Sequence, residues 1–434
     1  MEYRPQVVTP GCKAVVVGTG RSGQAAARLL HSLGASVRIV NMNEESVPES
    51  FRKIIAECGF ETAFGPHTAE QFAGADVVVP SPGVPMLKLA SFIPDQAVVL
   101  AEVELAWSCI PHIPAIAVTG TNGKTTTVRL CDAMLRKAGK RVFLGGNIGT
   151  PLSEFVLEKQ EADVLVLEVS SFQLQTCRQF RPTVGVLLNV TEDHLDYHED
   201  MQEYIDAKLK LFANMEQGDM AVLGEEAQQL TASSNSAGLQ RAEQHVFSDT
   251  GRFTEAPLKG LHNRLNMEAA YAATSRFGVT FENALDAVED FSTAPHTLET
   301  VAQGRGVVFV NDSKATTVDS VRAALESFAE PVLLLAGGHY KGGDLASLNE
   351  LLKKHVRAVG LYGDSRTVFE AAWNDVVDLE WHESMEDAAR SLMSKAHDGD
   401  VMLLSPATSS FDQYANYKAR GDDFRRIASL LSEQ

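Results

Sequence analysis

The stretch Ile116-Ala117-Val118-Thr119-Gly120-Thr121-Asn122-Gly123-Lys124-Thr125-Thr126-Thr127 decides the fold. Its apolar start predicts a buried strand, and Val128, Leu130, Cys131, Met134 and Leu135 continue at helical spacing. Strand, glycine turn, lysine and helix start form an arrangement that holds a polyphosphate. Backbone N–H groups of Gly120 to Thr126 point at the anion, Lys124 adds a mobile charge, and Thr125 or Thr126 reaches Mg²⁺. The general phosphate-loop pattern has glycine where Val118 stands, so the loop reads as a shortened variant. The bland alternative is a solvated strand-to-helix turn.

The same grammar occurs upstream. A strand over 13–17 leads into Gly18-Thr19-Gly20-Arg21-Ser22-Gly23, a helix over 24–33 and a strand over 36–40. The acid that would hold a nicotinamide cofactor's ribose is replaced by Asn41, so this loop reads as a nucleotide-diphosphate site or a structural turn. A strand over 76–79 ends in Pro80-Ser81-Pro82-Gly83-Val84-Pro85, a stiffened loop at a ligand-binding strand end. Glu102 and Glu104 read as a solvated helix start, and Lys208 and Lys210 as solvated helix lysines. Ile110-Pro111-His112-Ile113-Pro114 is a boundary signal before the phosphate-loop strand.

Downstream, a strand over 141–144 ends in glycines around Asn147, and a strand over 163–167 ends at Glu168, the position from which P-loop proteins address Mg²⁺. A strand over 184–188 ends at Asn189, followed by Glu192, Asp193, His194 and Asp196, a metal or catalytic candidate group. Residues 225–257 read as surface elaboration. Asn263 and Asn266, three apart, precede a helix over 267–276 and suit either a base or an N-cap. The segment 291–299 reads as an interdomain linker. Beyond it, strands over 306–310, 332–335, 356–362 and 401–404 alternate with helices and bring Lys314, Thr316, Lys341 and Ser410 to one ligand edge, suited to a dicarboxylate or a triphosphate. The fold class is α/β in three domains, 1–102, 103–297 and 298–434: Rossmann-like, P-loop with a mostly parallel sheet, and Rossmann-like.

Composition bounds the function. The chain has 434 residues, 44% of them hydrophobic, with a formal net charge of −19. That charge argues against nucleic acid or an anionic membrane as main partner. No apolar run is long enough to span a bilayer, and the first residues do not read as a signal peptide. Cysteines at 12, 58, 109, 131 and 177 form no disulfide framework or metal knuckle, which fits a reducing cytoplasm.

Taken together, Gly120–Thr126, Gly146–Gly149, Glu168–Leu174, Asn189–Asp196 and His262–Asn266 resemble the ATP-dependent Mur ligases of peptidoglycan synthesis, a family that includes folylpolyglutamate synthases. Gly18–Gly23, Ser81–Gly83, Asn311–Thr316 and Leu404–Tyr414 are similar to the branch that adds D-glutamate to UDP-N-acetylmuramoyl-L-alanine. The resemblance implies a monomeric cytoplasmic enzyme whose donor carboxylate attacks ATP, giving an acyl phosphate that the D-glutamate amine then attacks. It implies two Mg²⁺ ions, one served by Thr125 and Glu168, the other by His194 and a carbamylated Lys208. It places Asn147 at the donor or phosphoryl-transfer site and Asn263, Asn266 and Asp312 at adenosine. It gives Lys314, Thr316, Lys341, Ser410, Phe411 and Tyr417 to D-glutamate, and Gly18, Gly20, Arg21, Ser22, Asn41 and Gly83 to the uridine diphosphate end. Three departures stand out: Asn41 for aspartate, Thr297 where arginine follows the histidine, with Arg305 as a possible substitute, and Tyr417 for phenylalanine. Competing readings are a related ligase with another acceptor and a nucleotide sensor with a degenerate site.

Overall fold

The computed structural model describes residues 8–193, 197–232, 236–258, 260–291, 294–328 and 330–433. Three sheets carry the chain, each built from short apolar strands that alternate with helices. The first contains β1 (Lys13–Val17), β2 (Ser36–Asn41), β3 (Glu61–Phe64), β4 (Val77–Pro80) and β5 (Val98–Val99), in the order β3-β2-β1-β4-β5, all parallel. The second contains β6 (Ala115–Thr119), β7 (Val142–Gly146), β8 (Val164–Glu168), β9 (Val184–Leu187), β10 (Met220–Gly224) and β11 (Glu243–Phe247), in the order β11-β10-β9-β6-β8-β7, also all parallel. Buried-on-both-faces strands such as Ala115–Thr119 are near-continuous apolar runs because helices cover both sides.

The third contains β12 (Glu299–Gly304), β13 (Val307–Asn311), β14 (Val332–Gly337), β15 (Val356–Tyr362), β16 (Leu379–Trp381) and β17 (Val401–Leu404), in the order β12-β13-β17-β14-β15-β16. Only β12 is antiparallel, paired with β13 through a tight hairpin. The expected class, three α/β units with mostly parallel sheets, is what the chain adopts. In the first two sheets the order reverses beside β1 and β6, and ligands bind at such switch points, outside the carboxyl ends of the strands.

The chain separates into two compact units: Met1–Val190, His194–Thr250 and Asn266–Glu289 form one, and Thr191–Asp193, Gly251–Leu265 and Asp290–Gln434 the other. The first unit holds two sheets because one apolar core runs through both. Val16, Leu30 and Val77 join Ala117, Leu165 and Leu187 by way of Leu100, Val103, Leu105 and Ala106. Four strands outside 225–257 went unrecognised in the sequence: β3, β10, the hairpin strand β12 and β16. The segment expected to be surface elaboration supplies the edge strand β11, whose first three residues are exposed. Among the described residues no helix is long and apolar enough to cross a membrane.

Candidate active site

β6 delivers the chain into Gly120–Gly123, and the helix Lys124–Lys137 starts at the lysine. Gly123 is the N-cap, with φ of 83°, and a Cβ there would stand 2.3 Å from Asn266 Oδ1. Only glycine meets both demands. Asn189, at the end of β9, clasps the loop. Its Oδ1 accepts from the N–H groups of Thr121 (3.1 Å) and Asn122 (2.9 Å), and its Nδ2 donates to Asn122 O (3.3 Å). The Thr121 hydroxyl meets Tyr204 Oη at 3.1 Å. The first intrahelical bond runs from Thr127 N to Gly123 O, so Lys124, Thr125 and Thr126 form the helix's first turn, where backbone N–H groups favour an anion. Lys124 Nζ folds back onto the carbonyls of Gly120 (2.9 Å) and Thr121 (2.7 Å).

Strand register explains how Glu168 reaches this loop. It pairs with Val118 on one side and Gly146 on the other. Thr125 Oγ1 donates to Glu168 Oε2 at 2.6 Å, and Asn147 Nδ2 donates to Glu168 Oε1 at 3.0 Å. The structure therefore brings Lys124, Thr125, Asn147 and Glu168 together.

Lys208 corrects the solvated-lysine reading. It is 1% exposed on the helix Met201–Leu209, its Nζ donates to Gly120 O at 2.9 Å, and it stands 4.2 Å from the centre of the Tyr204 ring. Lys210 is exposed as expected. Lys124 and Lys208 thus share one carbonyl acceptor, which sets two amines within about 6 Å of each other. His194 lies outside the described residues. Among those described, no three His, Cys, Asp or Glu side chains converge on a metal position. The Thr125 hydroxyl and Glu168 carboxylate are hard oxygen donors side by side at a phosphate loop, and that pair fits Mg²⁺.

The helix carrying Asn263 and Asn266 begins at Leu261, six residues earlier than expected, so neither asparagine is an N-cap. Both are buried. Asn266 Oδ1 accepts from Thr127 Oγ1 at 3.3 Å, bracing the phosphate-loop helix.

The first glycine loop is built differently. The helix following β1 spans Arg21–Ser32 and starts inside the loop, three residues before its expected beginning, with Gly20 as an extended N-cap. A Cβ on Gly23 would stand 2.2 Å from Gly18 O, so the turn closes only on glycine. Ser81 Oγ is buried without a hydrogen-bond partner and would lie 2.7 Å from a Cβ on Gly18. Arg21 and Gly83 are exposed and Ser22 half-buried. The Asn41 amide donates to Asn43 O (2.7 Å) and Ser46 Oγ (2.9 Å), so it first holds its own turn.

In the second unit, the ends of β13, β17 and β14 form the ligand edge. Asp312 is buried; its Oδ1 accepts from Leu298 N (3.2 Å) and its Oδ2 from Ser405 Oγ (3.1 Å). Burial pushes its carboxyl up to about 7. Ser410 is buried, Lys314, Thr316 and Tyr417 are half-buried, Lys341 is exposed, and Phe411 is 73% exposed. Beneath the loops lies Arg420, fully buried on the helix Tyr417–Glu433. It donates to Ser313 Oγ (3.0 Å), Ser313 O (2.8 Å), Thr408 O (3.1 Å) and Ser409 O (3.2 Å). The chain passes from the first unit to the second at Asp290, beside the segment 291–299 read as a linker, and within that segment His296 is buried against Asn311 Nδ2 (3.1 Å). A Cβ on Gly421 would reach 2.2 Å from His296 Nδ1. Arg305 cannot stand in for the missing arginine at the ligand edge. It sits in the β12–β13 turn, at the opposite end of β13 from Asn311, roughly 15 Å along the strand.

Known proteins share this architecture. The chain matches the family descriptions "Mur ligase MurD-like, N-terminal domain" over residues 12–93, "Mur ligase middle domain" over 118–274 and "Mur ligase, glutamate ligase domain" over 298–408. It is 55% identical over 436 residues to UDP-N-acetylmuramoylalanine--D-glutamate ligase of Oleidesulfovibrio alaskensis, covering 98% of this chain and 96% of that one. The chain belongs to the Mur ligase family. A protein of the same name from Salinibacter ruber is 40% identical, over 96% of this Mur ligase and 98% of its own length. The crystal structure of a MurF ligase from Thermotoga maritima in complex with ADP shares the fold, with a TM-score of 0.63, 16% identity and 99% of each chain covered.

Five residues of this Mur ligase escaped the sequence reading of their roles. Asn189 was legible only as a polar strand end. Tyr204 and Arg420 sit at helical spacing that gives no sign of burial. Glu102 and Glu104, expected in solvent, are 1% and 3% exposed. Glu102 Oε1 accepts from Ser153 N (2.6 Å), while Glu104 accepts from the N–H groups of Arg178 (2.5 Å) and Gln179 (2.6 Å). The helix Glu102–Trp107 is sandwiched in the shared core, and its carboxyls satisfy the backbone donors of Ser153, Arg178 and Gln179.

Proposed function

We propose that this chain joins D-glutamate to UDP-N-acetylmuramoyl-L-alanine with cleavage of ATP to ADP and phosphate. The observation that carries the reading is the cluster of Lys124, Thr125, Asn147 and Glu168 at the carboxyl ends of β6, β7 and β8, in a chain 55% identical to a ligase of that name over nearly its whole length. The alanyl carboxylate oxygen attacks the γ-phosphorus and the bond to ADP breaks. The D-glutamate nitrogen then attacks the acyl carbon, phosphate leaves, and the nitrogen loses a proton. A free carboxylate is a poor acyl donor, and activation by ATP removes that obstacle.

Gly120, Thr121, Asn122, Gly123 and the first helical turn through Thr126 cradle the phosphates, and Lys124 swings from its two carbonyls onto the transferring group. Asn147 orients Glu168 and the donor. Thr125 and Glu168 would hold Mg²⁺, which would supply positive charge to the phosphate oxygens. His194 and a carbamylated Lys208 would hold a second ion. The shared Gly120 carbonyl favours this modification, since a carbamate replaces repulsion between two ammonium groups with attraction.

The sheets divide the work as a donor domain (1–102), a nucleotide domain (103–297) and an acceptor domain (298–434). Gly18, Gly20, Arg21, Ser22, Asn41 and Gly83 take the uridine diphosphate end, and Asn263, Asn266 and Asp312 take adenosine. Lys314, Thr316, Lys341, Ser410, Phe411 and Tyr417 take D-glutamate.

Phosphate release measured with ATP, Mg²⁺, the UDP-linked donor and a panel of amino acids is expected to occur with D-glutamate. Release with L-glutamate or glycine in its place would sink the acceptor assignment. Lys208→Ala is expected to lose at least about 10³-fold in kcat and to recover part of it in acetate. A fully active variant would rule the carbamate out.

A further inference from the structure

The loop at the end of β4 and the phosphate loop are joined by a chain of aromatic side chains within the first unit. Tyr197 is 8% exposed, and its hydroxyl donates to Val84 O at 3.1 Å, in the Ser81–Pro85 loop. The Tyr197 ring stacks on Phe172, with centroids 3.6 Å apart and planes 20° from parallel. Phe172 lies in the helix Ser171–Gln175, which opens three residues after Glu168 and is fixed at its start by the Ser170 capping box.

His198 continues the chain: its Nε2 meets Ser171 Oγ at 3.0 Å and its ring lies 5.2 Å from that of Tyr204. Tyr204 Oη closes the path on Thr121 Oγ1. Gln175 Nε2, bonded to Glu203 Oε1 at 2.6 Å, fastens the far end of the Phe172 helix to the helix that carries Tyr204 and Lys208. Interiors packed this closely transmit displacement rather than absorb it. Burial raises the Tyr197 hydroxyl to about 12, so it stays protonated as a donor across the neutral range.

We propose that Tyr197 is a positioning residue that couples occupancy of the Ser81–Pro85 loop to the geometry of the phosphate loop and Glu168. This rests on the donor and nucleotide assignments made above. A ligand seated at the end of β4 fixes Val84, and Val84 holds Tyr197. The stacked ring then holds the Phe172 helix, while His198 and Tyr204 hold Thr121. Each ligand tightens the other, as linkage requires.

The test uses the full-length protein, Mg²⁺ with a non-hydrolysable ATP analogue, and UDP-N-acetylmuramoyl-L-alanine. The analogue's Kd is measured by calorimetry with and without saturating donor. In the native chain the donor is expected to tighten the analogue at least about fivefold. Tyr197→Phe keeps the ring and loses the hydroxyl. Its Kd for each ligand alone is expected to stay within about threefold of native, while the coupling factor falls toward one. Phe172→Leu, which keeps the hydroxyl and loses the stack, is expected to do the same. Native coupling in both variants, with or without a lowered Tm, would overturn the proposal, and so would absence of coupling in the native chain when both ligands bind. Failure of either ligand to bind the native chain would overturn it together with the proposed function.

Discussion

Two glycine loops open two helices in the first unit, and they solve the same geometric problem in opposite ways. At Gly18–Gly23 the turn is closed chiefly by close packing, with Gly23 on the Gly18 carbonyl and a single side-chain bond, Gln24 Nε2 to Thr19 O at 2.8 Å; Gly20 has nothing within 4 Å of where a Cβ would be, and Arg21 faces solvent. At Gly120–Gly123 the turn is pinned from outside by Asn189, Tyr204 and Asn266, and its lysine is already folded over it. On the assignments proposed above, the difference follows what each anion demands. A diphosphate that only has to be held can be served by an open helix N-terminus. A phosphoryl group that has to be transferred needs donors whose positions are set in advance, because donors that reorganise during the reaction stabilise the transition state less.

The comparison can be broken at several points. Lys124→Ala is expected to lower kcat at least about 10³-fold, roughly 4 kcal/mol of transition-state stabilisation, with little change in melting temperature. Steady-state phosphate release measures it, and a variant within tenfold of native would reduce the second loop to the status of the first.

The next effect concerns the joint between the loops. The helix Arg21–Ser32 packs on both Glu102–Trp107 and Leu152–Leu157, and Glu102 fastens the last two together. Burial raises Glu102 to about 7, above its ordinary value near 4.5. Because the folded value is the higher one, the folded state keeps a proton that the unfolded chain loses. Its contribution is complete below about pH 4.5 and declines as pH rises toward 7, by up to roughly 3 kcal/mol. Glu102→Gln is expected to flatten the fall in stability between pH 5 and 7, read by urea melts. An unchanged slope would remove Glu102 from the account.

Glycine substitutions test the contrast directly. Gly123→Ala forces alanine to φ of 83° and against Asn266, and is expected to destabilise by about 2–3 kcal/mol and weaken ATP-analogue binding. Gly20→Ala sits at φ of −68° in open space and is expected to stay within about 0.5 kcal/mol of native. Equal effects would mean that the loops are not braced differently. The smallest effect expected to be resolved is Asn189→Ala, which removes the Oδ1 that accepts from the Thr121 and Asn122 N–H groups, while Thr121 N keeps its bond to the Asn189 carbonyl. It is expected to raise the analogue's Kd about tenfold, near 1–1.5 kcal/mol.

The fold was legible wherever an apolar run meets a glycine or polar strand end, because that boundary is both the secondary-structure signal and the ligand edge. Val118, Gly123, Lys124 and Glu168 all lie on such boundaries. Helix starts were read late at Arg21 and Leu261, because glycine and polar residues that open a helix look like loop until their backbone is seen. β3, β10, β12 and β16 were missed: β10 is a short run between turns, and the other three are partly exposed edge strands without strong alternation.

Charged residues were the least legible. Glu102, Glu104, Lys208 and Arg420 have the spacing of solvated helix positions. Their burial is set by tertiary partners, the N–H groups at 153, 178 and 179 and the carbonyls at 120, 313, 408 and 409, that lie far away in the chain. No local pattern encodes those meetings.

Arg420 also sets the electrical character of the third sheet's ligand edge. Its hydrogen bonds go to a hydroxyl and to carbonyls, so none of these partners cancels its charge. Counterions cannot approach a fully buried guanidinium, whereas Lys341, exposed on the same edge, is screened over about 8–10 Å at ordinary salt. The edge therefore carries two kinds of positive charge, an exposed one that salt screens readily and a buried one that salt screens less, beside the Asp312 carboxyl that senses it.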